Sequence, residues 1–255
     1  MEIVITEIGD HTIDDVSTQD GKDWLEAFRL GAETIPGVVR GSWGRSYKYP
    51  NIAMHFIGKS DLLCFCYFFV LMDIDYQTRR QHDVHKQEIG GAVPEALWHI
   101  MDKEKTDLYV ISPNTPDRKV LYAPQTNVVF FWGIDEDAFR SKQDEFFTAI
   151  EQSDACVGYI WGEIQQPVLS DKRGYAALGK GGVMISGWKS REEHDRDVAK
   201  PRVTEAYEAI SATVKRTDTW GMQTSIMESN GHFHKWQRLT NTDLTKLDHA
   251  KRPIA

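Results

Sequence analysis

Apolar and polar residues alternate from the second position: Glu2-Ile3-Val4-Ile5-Thr6-Glu7-Ile8 reads as a strand. A turn rich in Asp, Thr and Ser follows at 9–18. Apolar residues at 24, 25, 28 and 32 then form a helical stripe that Pro36-Gly37 closes. Val38 to Tyr47 predicts a second strand, stopped at Tyr49-Pro50, and the apolar block 62–74 predicts a third. A helix is expected from Thr78 to about Lys103, bent at Pro94. Leu108-Tyr109-Val110-Ile111 closes the set as a strand before Pro113. The order is β-α-β-β-α-β.

The same order then recurs. Asn127 to Trp132 reads as a strand, and Glu136 to Glu151 as a helix burying Phe139, Phe146, Phe147 and Ile150. Strands are expected at Cys156 to Ile164 and Val183 to Trp188, a helix containing Pro201 over Ser190 to Lys215, and a closing strand over Trp220 to Met227. Residue matches support the duplication. Ser42-Trp43-Gly44-Arg45 answers Ile160-Trp161-Gly162-Glu163. Tyr76-Gln77-Thr78-Arg79-Arg80-Gln81-His82-Asp83 aligns without a gap on Trp188-Lys189-Ser190-Arg191-Glu192-Glu193-His194-Asp195. Ser/Thr followed three residues later by Glu/Gln is a capping box. The Trp-Gly, Arg and His-Asp matches exceed what capping demands.

A β-α-β-β-α-β unit is ferredoxin-like. Two such units with a Trp-Gly strand and a Ser/Thr-x-x-Glu/Gln-His helix start resemble the dimeric α/β-barrel superfamily. The segment Gly182-Val183-Met184-Ile185-Ser186-Gly187-Trp188-Lys189-Ser190-Arg191-Glu192-Glu193-His194 is similar to that of its antibiotic-biosynthesis monooxygenases. The resemblance implies an α+β fold with ferredoxin-like units at 1–114 and 115–228, forming one intramolecular α/β barrel, and a C-terminal extension at 229–255. It further implies a pocket between sheet and helices in each unit. Superfamily members include cofactor-free monooxygenases, cyclases, decarboxylases, isomerases and haem enzymes, so fold alone does not settle function.

The chain has 255 residues with a formal charge of −8, which argues against a nucleic-acid partner. No apolar run approaches the roughly 20 residues of a membrane helix, and residues 1–10 lack a signal-peptide pattern. Cys64, Cys66 and Cys156 read as buried thiols rather than disulfide or metal partners. A cytoplasmic protein is expected, with homodimer formation left open.

Candidate chemistry gathers at the repeated motifs. His82 and His194 fall in the first turn of equivalent helices, where the positive helix end favours the neutral imidazole of a general base. The alternative is that each only packs against the strand-end aromatic, Tyr76 or Trp188. Strand periodicity puts Trp43, Arg45, Tyr47 and Tyr49 on one face, where aromatic rings beside a guanidinium suit a planar phenolate or enolate. Tyr159, Trp161 and Glu163 are the counterpart, so the two pockets differ chemically. His55 is either a core histidine or a pocket acid/base. Gly231-His232-Phe233-His234-Lys235-Trp236 is read as a lid carrying Phe233 and Trp236, not as a metal site. These residues point to a hydrophobic, phenolic or polycyclic substrate of secondary metabolism. His82, His194 or His55 would transfer the proton in a cyclase, isomerase, decarboxylase (lyase) or monooxygenase reaction, and Arg45 and Tyr47 would hold the anion. No cofactor is expected; haem with a histidine ligand is the alternative, as is a non-catalytic ligand-binding protein.

Overall fold

The computed structural model describes residues 2–8, 38–48, 52–59, 105–114, 118–166, 168 and 171–228. Within these, eight strands pair in a closed ring: β1 (Glu2–Ile8), β3 (Ala53–Lys59), β2 (Val38–Ser46), β8 (Arg216–Glu228), β5 (Gln125–Trp132), β7 (Gly181–Trp188), β6 (Cys156–Ile164) and β4 (Thr106–Pro113), which returns to β1. Every pairing is antiparallel. The halves β4-β1-β3-β2 and β8-β5-β7-β6 share one strand order, that of a ferredoxin-like sheet. They join at two seams, β2–β8 and β4–β6.

Register shows the duplication in detail. Arg45 pairs with Gln223 and Ser46 with Met222 at one seam. At the other, Glu163 pairs with Ser112 and Ile164 with Ile111. The Trp-Gly-Arg and Trp-Gly-Glu strands therefore occupy equivalent places.

Alternation divides the second half into two faces. Val128, Phe130 and Trp132 of β5 turn into the barrel with Ile3, Phe56, Tyr109 and Ile185. The Tyr109 ring packs 5.3 Å from Phe130 and 5.4 Å from Trp132, centroid to centroid. Val129 and Phe131 turn the other way, under helices α1 (Glu136–Glu151) and α3 (Pro201–Ser211). There they meet Phe139, Phe146 and Ile210.

Two expectations are corrected. The block 62–74, where a strand is expected, lies outside the described residues; the strand at the third place, pairing with both β1 and β2, is Ala53–Lys59. Its short Ile52–Ile57 run does not alternate because Ala53, Met54 and Phe56 are all buried, as in a strand covered on both faces. The helix expected over Ser190 to Lys215 is two: α2 (Arg191–Val198) and α3. Pro201 has no N–H to continue α2, and it holds Lys200 extended at φ −66°, ψ 136° while its own fixed φ suits the first position of α3.

Candidate functional site

Helix α2 starts where β7 ends. Ser190 caps it, its hydroxyl accepting the Glu193 N–H at 3.1 Å. The reciprocal arm of the capping box differs from expectation: the Glu193 carboxylate takes the Ser190 hydroxyl at 3.3 Å. One residue on, His194 is 12% exposed, and its ring stands edge-on to Trp188 at 4.9 Å. Trp188 is itself buried and fixed, its indole N–H donating to Ser186 Oγ at 2.9 Å. His194 Nδ1 lies 2.9 Å from Asp195 Oδ1. A carboxylate only accepts, so Nδ1 carries a proton, and in the neutral tautomer this leaves the lone pair on Nε2. Nε2 is buried and has no hydrogen-bond partner.

The Arg of the repeated motif has a place too. Arg191 Nε is 3.5 Å from Asp195 Oδ2, and its guanidinium lies 4.4 Å from the centroid of the Tyr47 ring. Tyr47 comes from the first half of the chain. Its N–H donates to Gly221 O at 2.9 Å, just beyond the last β2–β8 pair, Ser46 with Met222. A Cβ built on Gly221 would stand 3.7 Å from Tyr47 Cδ2, 3.4 Å from Gln125 Nε2 and 3.8 Å from Asn127 Oδ1. The seam thus brings the aromatic end of β2 to the site of the second half.

A cavity of about 620 Å³ opens beside His194, between the second-half sheet and its helices. Its apolar wall is Val129, Phe146, Ile150, Met184, Val198 and Val203, with Asn127, Thr204 and Tyr207 among its polar groups. Residues 216–221 of β8 extend past the end of β2, and both faces of that stretch line the cavity: Thr217 and Thr219 on one, Asp218 and Trp220 on the other. The cavity therefore runs from the helix side of the sheet to the barrel mouth, where Lys48, Arg173, Tyr175 and Arg216 complete it. The Asp171 carboxylate shapes that mouth by accepting the N–H groups of Tyr175 and Ala176 at 2.9 and 2.7 Å. Arg173 Nε reaches the buried Asp107 at 3.3 Å, and Arg216 holds Asp218 through two bonds of 2.8 and 2.9 Å.

The other residues singled out in the sequence fall elsewhere. Trp161 is buried between Phe131, Phe139 and Phe147; Tyr159 packs on Phe147; Glu163 is exposed. None of the three lines the cavity. Arg45 is half-buried and stands opposite Gln223. Trp43 and His55 stand opposite one another in the register of β2 and β3. His82, Tyr49, Tyr76, Cys64, Cys66, His232, Phe233, His234 and Trp236 lie outside the described residues. Burial pushes the Cys156 thiol up to about 11, which leaves it a poor nucleophile. Among the described residues, no cluster of three His, Cys, Asp or Glu could hold a metal, and no helix is long and apolar enough to cross a membrane.

Sequence reasoning missed Asn127, Lys48, Arg173, Tyr207 and Arg216. Asn127 did leave a signal: it is a polar residue on the outward face of the otherwise apolar strand Val128 to Trp132.

No family model matches the chain, and no curated protein matches it. Solved structures do. An anthrone oxidase-like protein superposes with a TM-score of 0.59 at 11% identity, over 94% of this chain and 95% of that one. A candidate monooxygenase from Lactobacillus acidophilus NCFM gives 0.50 at 13% identity, over 89% and 96%. A candidate chlorite dismutase gives 0.51 at 11%, over 88% and 95%. At such identities the likeness is one of fold: two ferredoxin-like sheets closed into one barrel within a single chain.

Proposed function

We propose that this chain is a cytoplasmic, cofactor-independent oxygenase of secondary metabolism, acting on a hydrophobic phenolic or polycyclic small molecule, with His194 as the base. The observation that carries the reading is His194 itself. Its Nδ1 is anchored on Asp195, and its buried Nε2 is unpartnered in the wall of a cavity with a broad apolar face. Such a base removes a proton from an acidic C–H or phenol, and the electron-rich anion reacts with O₂ directly. For an anthrone, the ring CH₂ becomes a C=O and one water leaves, which balances one O₂ without an outside reductant. The monooxygenase and anthrone oxidase-like names of the fold neighbours favour oxygenation over isomerisation or lyase chemistry.

Oxygen uptake with anthrone tests this. The protein should convert anthrone to anthraquinone above the uncatalysed rate, and His194→Gln should lower kcat about 10²–10⁴-fold, the usual contribution of a general base. An unchanged rate in that variant would remove the proposal.

The second reading is haem held by His194 Nε2. The same Nδ1–carboxylate contact is what orients a metal-bound histidine, and the donor fits. A haem protein would show a Soret band that His194→Gln removes.

A further inference from the structure

The outward face of β5 changes character toward its start. Phe131 and Val129 pack under the helices, but the next two residues on that face are Asn127 and Gln125. Both are buried, Asn127 at 8% exposure and Gln125 at 1%. Among the described residues no hydrogen bond reaches the Asn127 side-chain amide; its main-chain carbonyl alone is used, accepting the Ser186 hydroxyl at 3.4 Å. The same hydroxyl oxygen accepts the Trp188 indole N–H, so Ser186 is already occupied. Gln125 Nε2 makes one long bond, 3.3 Å to the carbonyl of Thr126, and its Oε1 is buried without a partner. Burying an amide without its hydrogen bonds is destabilising, so two on one face call for a partner the chain does not supply.

Both amides converge on Gly221, which stands opposite Asn127 in the register of β5 and β8. A Cβ built there would lie 3.4 Å from Gln125 Nε2, 3.8 Å from Asn127 Oδ1 and 3.7 Å from Cδ2 of the Tyr47 ring. The absent side chain leaves a niche with an N–H donor on one wall and a C=O acceptor on another. Gly221 is partly exposed, so the niche is open, and it adjoins the cavity at Asn127, which borders both. Trp188, the register partner of Gln125, has His194 edge-on at 4.9 Å. Niche and base therefore border the same end of the cavity.

We infer that the niche over Gly221 is a hydroxyl subsite, in which a ring hydroxyl of the substrate accepts from Gln125 Nε2 and donates to Asn127 Oδ1. This rests on the cavity being where the substrate binds, and it adds a group the substrate carries away from its reacting carbon. A hydroxyl holds a donor and an acceptor on one atom, as the two walls require; a carbonyl or an ether would satisfy the donor wall alone. The hydroxyl seated here is held by the amides and not by His194.

Calorimetric titration with two planar probes of nearly equal size tests it: 2-hydroxyanthraquinone and 2-methylanthraquinone, at pH 6, where the hydroxyl keeps its proton. A purely apolar wall would hold the methyl compound tighter. Two hydrogen bonds should reverse that order, so that the hydroxyl compound binds roughly fivefold or more tighter. Gly221→Ala fills the niche, and its Cβ would meet only ordinary contacts within strand β8, so the variant should fold. Asn127→Leu removes the acceptor and leaves the wall apolar. Each variant should bind the methyl compound tighter than the hydroxyl compound. His194→Gln should keep the hydroxyl preference; if the preference is lost with the imidazole, the hydroxyl sits on Nε2 and the inference falls. The role of the base is read separately, from anthrone turnover, so either can fail without the other. A native protein that prefers the methyl compound, a hydroxyl preference surviving both Gly221→Ala and Asn127→Leu, or binding of neither probe would overturn the subsite.

Discussion

The Arg191 guanidinium lies 4.4 Å from the centre of the Tyr47 ring, joining the first turn of α2 to the far end of β2. The same side chain reaches Asp195, which holds His194 Nδ1. The two halves of the chain therefore meet at the imidazole. Arg191 and Asp195 are both more than half exposed, so each link is weak. A cation–π contact at such a site contributes about 0.5–1 kcal/mol, or roughly two- to fivefold in rate if it is expressed only in orienting the base. Arg191→Met and Tyr47→Leu should each lower anthrone kcat by about that factor, and the double variant should lose no more than either alone. Asp195→Asn, which removes the carboxylate itself, should cost roughly ten- to a hundredfold. Additive losses in the double variant would mean that the two residues act separately.

How far this site could be read beforehand follows from where its residues sit. His194, Asp195 and Arg191 are local to one helix start, and comparison with the first repeat exposed them because capping alone asks for no His-Asp. Tyr47 stood out by strand alternation, but its neighbours did not. They depend on the β2–β8 seam, which pairs residues from opposite ends of the chain. Arg173 comes from the irregular segment between β6 and β7, where no periodicity marks a direction. The barrel was legible because alternation and helix caps repeat in order. The third strand was not, since Ile52–Ile57 is apolar on both faces and shorter than the richer block after it.

Asp197, at the end of α2, is fully buried and accepts from Lys200 Nζ at 2.6 Å, from Ser153 Oγ, and from Arg196 Nε at 3.4 Å. The Lys200 and Ser153 bonds hold its carboxyl well below the usual carboxylate range. Its stabilisation is therefore present above the unfolded value near about 3.9 and is lost as pH falls through the folded one. Lys200 and Arg196 are largely exposed, so the Ser153 hydroxyl is the part that solvent screens least. Asp197→Asn should cost about 1–3 kcal/mol at pH 6, measured by urea unfolding. The gap to the native protein should narrow between about pH 4 and pH 2.

Asp107 behaves with the opposite sign. Burial pushes its carboxyl up, against the Lys172 N–H at 2.5 Å and Arg173, both of which pull it down. A raised folded value means its contribution is fully present below the unfolded value and is lost as pH rises through the folded one. At neutral pH the buried charge is a net cost. Asp107→Asn keeps an acceptor for Lys172, so at pH 7.5 the variant should be as stable as the native protein or up to about 1 kcal/mol more stable. At pH 4.5 that advantage should shrink or reverse. Thermal unfolding at the two pH values gives the sign, and a variant that gains on acidification would show that Arg173 outweighs burial.

Gly182 is required by Trp161. The two lie on neighbouring strands, and a Cβ at Gly182 would stand 2.1 Å from Trp161 Cη2. The indole cannot step aside, since Phe139 stacks on it at 5.3 Å and Phe147 closes at 5.6 Å. Gly182→Ala should lose about 1–3 kcal/mol through overpacking. A companion Trp161→Leu change, which clears the space, should make Gly182→Ala nearly neutral in that background.

Among the described residues the two seams of the barrel are unequal. The β2–β8 seam runs through seven register pairs, from Arg40–Glu228 to Ser46–Met222. Among the described residues the β4–β6 seam has three, Ile111–Ile164 to Pro113–Gly162, flanked by bonds from Gln165 N to Val110 O and from Asn114 N to Trp161 O. Pro113 stands where the other seam has Thr224, which pairs with Gly44 and lets β8 continue to Glu228. The bonds Gln165 N to Val110 O and Asn114 N to Trp161 O put Pro113 at a non-hydrogen-bonded position of this seam, so its missing N–H faces away from β6, and β4 ends at this residue. Fewer cross-strand bonds lower the free energy of local opening. Native-state hydrogen exchange should therefore find the amides of 111–112 and 162–164 less protected than those of 42–46 and 222–226. Equal protection at the two seams would mean that the packed interior, not the ladder, sets the opening energy of the barrel.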